Sequence, residues 1–452
     1  MDDGSSEMEG IGETANEVNG MTLNESSTSE KVEVVVAGKD RPALVHKLAM
    51  CAVKAGGTVV DLQQTIVEKM LNLAMIVELD LTNPESNRFY RDILVCGKNS
   101  GVHVEFNIKS ERERPLHSGV KSKYALTVLS AESIDVSTLK DLTLLLSSRN
   151  VRVETIKKLS QGSMRCLELG IKTEQALSRG DLRKLREDLY SFGMNRYIDI
   201  AMQAENLTRR SRRLVVMDMD STLIQQEVID ELAKHAGVSD QVKEITERAM
   251  GGHLDFNQSL SQRAALLKGT PAATFDKVID NLVYTEGASY LCKSLKKLGY
   301  RLAVISGGFT AVTEHVRKVL GLDYDYANRL AVDENGFFTG ETYGPVVNAD
   351  MKADLLVRIA QEEGITLDQT IAIGDGANDL KMLEIAGLGV AFNAKPAVQD
   401  RANFRINQRS LDSILYLLGF SDEDQQDLRT GIYESPRTAP ARNPVMLKAT
   451  RI

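Results

Sequence analysis

Cysteine is scarce. Only Cys51, Cys96, Cys166 and Cys292 occur in 452 residues, and no two are spaced as Cys-x-x-Cys. Each sits in or beside an apolar run, so buried reduced thiols are expected rather than a zinc site or a disulfide framework. No apolar run approaches the ~18 residues of a membrane span, and no membrane partner is expected. A basic excess is missing too: net charge is −8 and the isoelectric point is near 5.5. Without a positive field the chain is not expected to bind nucleic acid. A small phosphorylated ligand stays open, because it needs only a local basic pocket. The start, Met1-Asp2-Asp3-Gly4, is acidic where a targeting segment is basic. The expected location is cytoplasmic.

What is present is a soluble, globular composition, 42% hydrophobic and 26% charged, at a length that implies two or three domains. Residues 1–30 and 434–452 are poor in apolar side chains, and both are expected to be loose segments. From Lys31 the pattern turns regular. Val32 to Val36 reads as a strand, and Pro42 is placed to open a helix carrying Leu44, Leu48 and Ala52 on one face. Gly56-Gly57 ends that helix. Two strands, a second helix and a last strand at Val102 to Phe106 complete a β-α-β-β-α-β order, a ferredoxin-like unit spanning 31–110. The same order recurs over 123–207, with a charged linker between the copies.

The run Arg209-Arg210-Ser211-Arg212-Arg213 reads as a solvated boundary rather than an anion site. Beyond it, over 211–430, unbroken apolar strands at Leu214 to Met217, Leu302 to Ile305 and Thr370 to Ile373 alternate with helices. That pattern predicts a Rossmann-like parallel sheet buried on both faces. A mostly helical stretch at about 229–283 interrupts the alternation and reads as a cap.

Each apolar strand ends in polar groups: Asp218 and Asp220 after the first, Ser306-Gly307-Gly308 after the second, Asp375 to Asp379 after the third. Lys352 stands between the last two. Ligands of open α/β sheets bind beyond the carboxyl ends of the strands. Clustered carboxylates repel one another and call for a cation, and hard oxygen ligands beside a phosphate favour Mg²⁺. Asp218 and Asp375 are the expected ligands, with the backbone carbonyl of Asp220 as a third. A carboxylate so oriented can attack phosphorus. A second one two residues later can protonate the leaving alkoxide and then activate water. Ser306, the N–H groups around Gly307, and Lys352 suit the phosphoryl oxygens.

Asp-Met-Asp-Ser-Thr, Ser-Gly-Gly-Phe, the lone lysine and Gly-Asp-Gly-Ala-Asn-Asp resemble the four motifs of the haloacid dehalogenase superfamily, in wording closest to its phosphoserine phosphatases. The resemblance implies that Asp218 is the nucleophile, Asp220 the general acid/base and Asp375 a Mg²⁺ ligand, with Asp379 supporting the metal site. It further implies that Glu227 holds a substrate amino group and Arg263 its carboxylate. Met250 and Phe256 would cover the site and Asn378 would contact the phosphate. The implied reaction is hydrolysis of O-phospho-L-serine. Two alternatives stay open: a phosphatase or phosphotransferase of the same superfamily acting on another phosphate ester, and an amino-acid sensor with weak catalysis.

The paired N-terminal units resemble ACT domains, which implies L-serine or another amino acid as effector and a homodimer. Gly38-Lys39-Asp40-Arg41-Pro42-Ala43 matches the ligand loop of that family, except that Ala43 stands where glycine is usual. The second copy, Ser130 to Asp135, lacks the Asp-Arg-Pro pattern.

Overall fold

The computed structural model describes residues 29–109, 123–173, 177–402 and 404–431. Of the expected loose segments, 1–28 and 434–452 lie outside them, as does most of the charged linker, whereas Ser29 and Glu30, expected to be loose, open the first strand. The chain divides into two compact units, residues 1–118 and 119–452. Among the described residues no helix is long and apolar enough to cross a membrane.

The first unit runs β1 (Ser29–Lys39), α1 (Leu44–Lys54), β2 (Thr58–Val67), β3 (Met70–Asp80), α2 (Arg88–Ser100) and β4 (Val102–Lys109). Its antiparallel sheet has the order β2-β3-β1-β4. Val32, Val34 and Val36 alternate inward along β1 and pack on Leu44, Leu48, Phe89 and Ile93 of the two helices. That is the period-two burial of a sheet covered on one face. Pro42 does not open α1, contrary to expectation: the helix starts at Leu44, and Ala43 before it adopts φ 62. Alanine thus holds the left-handed turn that favours glycine.

The second unit begins with the repeat: β5 (Lys123–Ser130), α3 (Val136–Ser148), β6 (Val151–Lys158), β7 (Cys166–Thr173), α4 (Arg179–Arg196) and β8 (Ile198–Ala204), in the sheet order β6-β7-β5-β8. The topology is the same as the first copy's, but the burial is different. Ala125 to Leu129 on β5 are all buried, so this sheet is covered on both faces. Leu126 and Val128 face α3 and α4, whereas Leu129, Cys166 and Ala201 belong to the core of the following α/β domain. Polar bonds join the same seam. Asp199 accepts from the Asn407 backbone N–H at 2.8 Å and from Gln408 Nε2 at 2.7 Å, and Gln203 Nε2 donates to the Leu417 carbonyl at 2.9 Å.

The arginine linker contains a short helical turn, α5 (Leu207–Arg210), and it corrects the expectation of a solvated boundary. Arg209, with its side chain only 9% exposed, bridges Glu205 at 2.6 Å and Glu168 of β7. Arg212 is also buried, whereas Arg210 stays in water. A buried guanidinium between two carboxylates holds the repeat against the chain that enters the α/β domain.

That domain has a seven-stranded sheet, β12-β11-β10-β9-β13-β14-β15, parallel except for the β11–β12 pair. In chain order come β9 (Leu214–Met217), the cap helices α6 (Val228–Ala236), α7 (Ser239–Met250), α8 (Phe256–Leu266) and α9 (Thr274–Asp280), then α10 (Ala288–Lys297), β10 (Arg301–Phe309), α11 (Thr310–Leu320), β11 (Tyr324–Val332), β12 (Phe338–Tyr343), α12 (Ala349–Glu362), β13 (Thr370–Gly374), α13 (Leu380–Ile385), β14 (Leu388–Phe392) and β15 (Phe404–Ile406). All four residues of β9 and all five of β13 are buried, as a sheet covered on both faces requires. The domain's first strand in the chain, β9, lies between β10 and β13, so strand order reverses there and opens a crevice at its carboxyl end. The cap leaves and returns through two short antiparallel segments bridged at Ile224 and Tyr284.

Arg209→Ala would strand Glu168 at a covered seam, while Glu205 keeps Arg210 at 2.7 Å. The expected loss is about 3 kcal/mol, against less than about 0.5 kcal/mol for Arg210→Ala. Paired urea melts of the two variants check this, and equal losses would show that the buried bridge contributes nothing special.

Candidate active site

The carboxyl ends of β9, β10 and β13 deliver the side chains that their sequence order promised. Asp218 ends β9, its N–H on the Ile373 carbonyl at 2.9 Å and its carboxylate accepting the Met219 N–H at 2.7 Å. Lys352 comes from α12 and is fully buried. Its ammonium contacts Asp218 at 2.9 Å and Asp379 at 2.7 Å. Asp375, after β13, accepts the Thr222 hydroxyl at 3.0 Å. Ser306, at the end of β10, is 3.5 Å from Asp220 Oδ2 and accepts the Gly308 N–H at 2.8 Å.

Burial and mutual repulsion dominate the electrostatics. Desolvation, reinforced by Asp379, holds Asp218 well above the usual carboxylate range. Desolvation and then Glu227 do the same to Asp220. Asp375 is pushed up to about 6 by burial and by Asp379. Burial works against the charge on Lys352, but Asp218 and Asp379 outweigh it and keep the ammonium protonated. Carboxylate oxygens of Asp218, Asp375 and Asp379 all lie within 4.8 Å of one another. One ammonium does not neutralise three clustered acids, two of them buried, so this donor set fits a hard divalent cation. The side chain of Asp379, expected only in support, is part of that cluster and is also the partner of Lys352.

The loop after Asp218 does not continue as a helix. Asp220 is extended and Ser221 takes φ 55, a left-handed conformation uncommon for serine. The turn aims the Ser221 hydroxyl at Glu227, 2.8 Å away, and lets Asp220 accept the Val228 N–H at 3.4 Å. Strain of about 1 kcal/mol is typical of such a residue. Here it folds the Asp218–Ser221 loop back against the first cap helix.

Further out, Arg263 is half buried on α8. Burial lowers its guanidinium from the usual range while Asp230, Glu227 and Asp220 oppose that shift. Phe256 stands over Gly307: a Cβ on that glycine would lie 3.0 Å from the ring and 3.6 Å from the Asn378 amide nitrogen. Met250 is not packed over the acids. It is 63% exposed, with its sulfur 3.7 Å from the Lys395 ammonium.

Sequence reasoning missed several residues. Thr222 lies inside the first motif, and only the fold shows its hydroxyl on Asp375. Buried Asn328 donates to the Gly307 carbonyl and accepts the Val347 N–H, each at 2.8 Å, and so shapes the Ser306 loop. Asn257 and Asn348 meet across cap and core at 3.2 Å. No local pattern marks Asn328, Asn257 or Lys395.

Residues 215–384 match the model of the haloacid dehalogenase-like hydrolases, and residues 31–107 match that of the ACT domain. The chain is 37% identical over 404 residues to the phosphoserine phosphatase of Streptomyces coelicolor, covering 89% of this chain and 96% of that one. It is 34% identical to a phosphoserine phosphatase of Mycobacterium tuberculosis, covering 86% and 93%. The chain belongs to the phosphoserine phosphatase family of haloacid dehalogenase-like hydrolases. A probable phosphoserine phosphatase from Vibrio cholerae aligns in structure with TM-score 0.51 and 31% identity, over 68% of this chain and 88% of that one. A haloacid dehalogenase-family hydrolase of Salmonella enterica aligns with TM-score 0.56 and 30% identity, over 65% and 98%.

Within this family site Gly308 has little room. A Cβ there would lie 2.7 Å from Asp220 Oδ2 and 3.1 Å from Ser306 Oγ. Gly308→Ala is expected to displace Asp220 and lower kcat by roughly 10²-fold, with the domain still folded by circular dichroism. An unchanged kcat would show that the placement of Asp220 is not critical.

Proposed function

We propose that this chain hydrolyses O-phospho-L-serine to L-serine and phosphate in two displacements at phosphorus. The observation that carries the reading is the zoning of the cleft. Buried Asp218 and Lys352 and half-buried Asp220 surround the strand ends, and Glu227 and Arg263 stand at the cap side, where the amino and carboxylate groups of a phosphoserine would reach.

In the first displacement an Asp218 oxygen forms a bond to phosphorus while the bond to the serine oxygen breaks. Asp220, held above the usual carboxylate range by desolvation and Glu227, gives its proton to the departing oxygen. The product is an aspartyl-phosphate and neutral serine hydroxyl. In the second displacement the Asp220 carboxylate takes a proton from water as its oxygen attacks phosphorus, and the Asp218 carboxylate is released. Lys352 and the Ser306–Gly308 loop hold the charge that moves onto the phosphoryl oxygens. Mg²⁺, held by Asp218, Asp375 and the Asp220 carbonyl with Asp379 beside them, would shield the phosphoryl charge from these acids. Glu227 pairs with the substrate ammonium and Arg263 with its carboxylate, while Phe256 and Asn378 line the approach.

A homodimer is supported by β2, the edge strand of the first unit, where Val60, Ile66 and Val67 are 52%, 49% and 58% exposed. The left-handed turn at Ala43 is the proposed place for L-serine or a related amino-acid effector. The reduced state of the four free cysteines accords with a cytoplasmic location.

Asp218→Asn should lower phosphate release by at least about 10³-fold and abolish the acid-stable phosphoenzyme in a quench experiment. Normal turnover in that variant would end the mechanism. Arg263→Ala should lower kcat/KM for phosphoserine by roughly 30- to 100-fold through a lost charge-assisted pair while leaving p-nitrophenyl phosphate within about 3-fold. Equal losses on both would remove Arg263 from carboxylate recognition. Chelation should stop phosphate release and added Mg²⁺ restore it; full activity in chelator would exclude the metal.

A further inference from the structure

Away from the catalytic cleft, the second unit holds a crevice of about 570 Å³ where the ACT-like repeat meets the catalytic domain. One wall is the β5–α3 loop at Ser130 and Ala131, with Gln161 and Arg165 from the β6–β7 loop. The other is the 408–413 loop and Arg429.

The charged groups lining it are unequal in what they have left to offer. Asp422 already accepts the Gln161 N–H at 2.6 Å and the Tyr416 hydroxyl. Asp412 accepts the Ser410 hydroxyl at 2.6 Å, and Glu286 is held by Arg409 at 2.7 Å. The arginines are less committed. Arg429 stacks on Tyr290 at 4.4 Å and reaches Asp412 only at 3.9 Å. Arg165 is exposed, and its guanidinium has no ion pair among the described residues. Acids that already hold donors, beside one unpaired and one loosely paired guanidinium fork, make the crevice a donor-rich site. Such forks match carboxylate or phosphate oxygens in pairs.

The same 408–413 wall is fastened to the cap's connection with the core. The Leu411 N–H donates to the Glu286 carbonyl at 2.8 Å. Gly287, at φ 80, turns tightly beneath Ser410 and Asp412, leaving no room for a side chain. The segment just before it is the cap's return path. The Thr285 N–H donates to Leu223 at 3.0 Å, and the Gln225 N–H to Val283 at 2.9 Å. A second cavity, of about 310 Å³, lies along this path, with Ser221 and Gln225 on one side and Glu286 and Arg409 on the other. Three backbone bonds therefore run from the crevice wall to the nucleophile loop.

We propose that this crevice binds a small organic anion through Arg165 and Arg429, and that its occupancy stiffens the two segments joining cap to core. A ligand that draws the 408–413 loop toward Arg165 favours one arrangement of those segments, which is the differential interaction that coupling between sites requires.

Titration calorimetry on the full chain, without added metal, tests the site with citrate as the carboxylate probe and inorganic phosphate as the phosphate probe. At least one probe should bind wild type saturably and lose affinity at least about 10-fold in Arg165→Ala/Arg429→Ala, and the probe that does so identifies the favoured oxygen chemistry. Both arginines are exposed, so the double variant should melt within about 2 °C of wild type. Equal affinities in wild type and double variant for both probes would overturn the site. Asp218→Asn should bind citrate as wild type does. Loss of citrate binding there would place the probe in the catalytic cleft and also overturn the proposal, while turnover in that variant judges the proposed reaction separately. Amide exchange at residues 283–287 and 409–412 should slow at saturating probe; unchanged exchange with the probe bound would refute the coupling to the cap.

Discussion

The catalytic end of the sheet depends on one buried ammonium. Lys352 lies wholly out of water, a position that ordinarily drives lysine toward its neutral form. It stays charged because Asp218 and Asp379 stand within 3 Å, and those acids tolerate burial because Lys352 is there. The triad binds α12 to the end of β9 and to the loop after β13, elements that are far apart in sequence. Its charge does not balance, since Asp375 stands in the same cluster. That deficit fits the cation and phosphate of the proposed reaction better than a purely structural ion pair.

Around this centre the site is layered. The inner acids are fixed by strand ends and backbone donors. The outer pair, Glu227 and Arg263, sits on the cap and is fixed by helices whose only covalent links to the core are two short segments. Ser221 joins the layers, because its left-handed backbone places a hydroxyl on Glu227 within a few residues of Asp218. In the proposed reading the cap carries the specificity groups and the core the chemistry, a division that would let one sheet serve different phosphate esters through changes in the cap.

The two N-terminal copies show how one topology acquires two uses. Both have the same sheet order, and they differ in how their central strands are buried. Alternating burial of Val32, Val34 and Val36 leaves the first copy's sheet with an open face, and its β2 edge is exposed throughout. The continuous burial of Ala125 to Leu129 commits the second copy's sheet to the catalytic domain. Asp199, Gln203 and Arg209 then supply the polar bonds along that seam.

Most of the fold was legible because it rests on local periodicity. Unbroken apolar runs at Leu214 to Met217 and Thr370 to Ile373 imply buried parallel strands, and motif order along the chain placed Asp218, Ser306, Lys352 and Asp375 at one sheet edge. Arg209 was misread because a run of arginines looks alike whether it faces water or two carboxylates. Pro42 was misplaced by two residues because a helix start is settled by backbone turns such as the one at Ala43. By itself the sequence determined the strands, their polar ends and the reaction's residue types, all of which are properties of short segments. Only the tertiary structure decided that Asp379 holds Lys352, that Thr222 and Asn328 brace the site, and that the 408–413 loop clasps the cap's connection. Those are contacts between segments distant in the chain, and a linear pattern carries no distance between them.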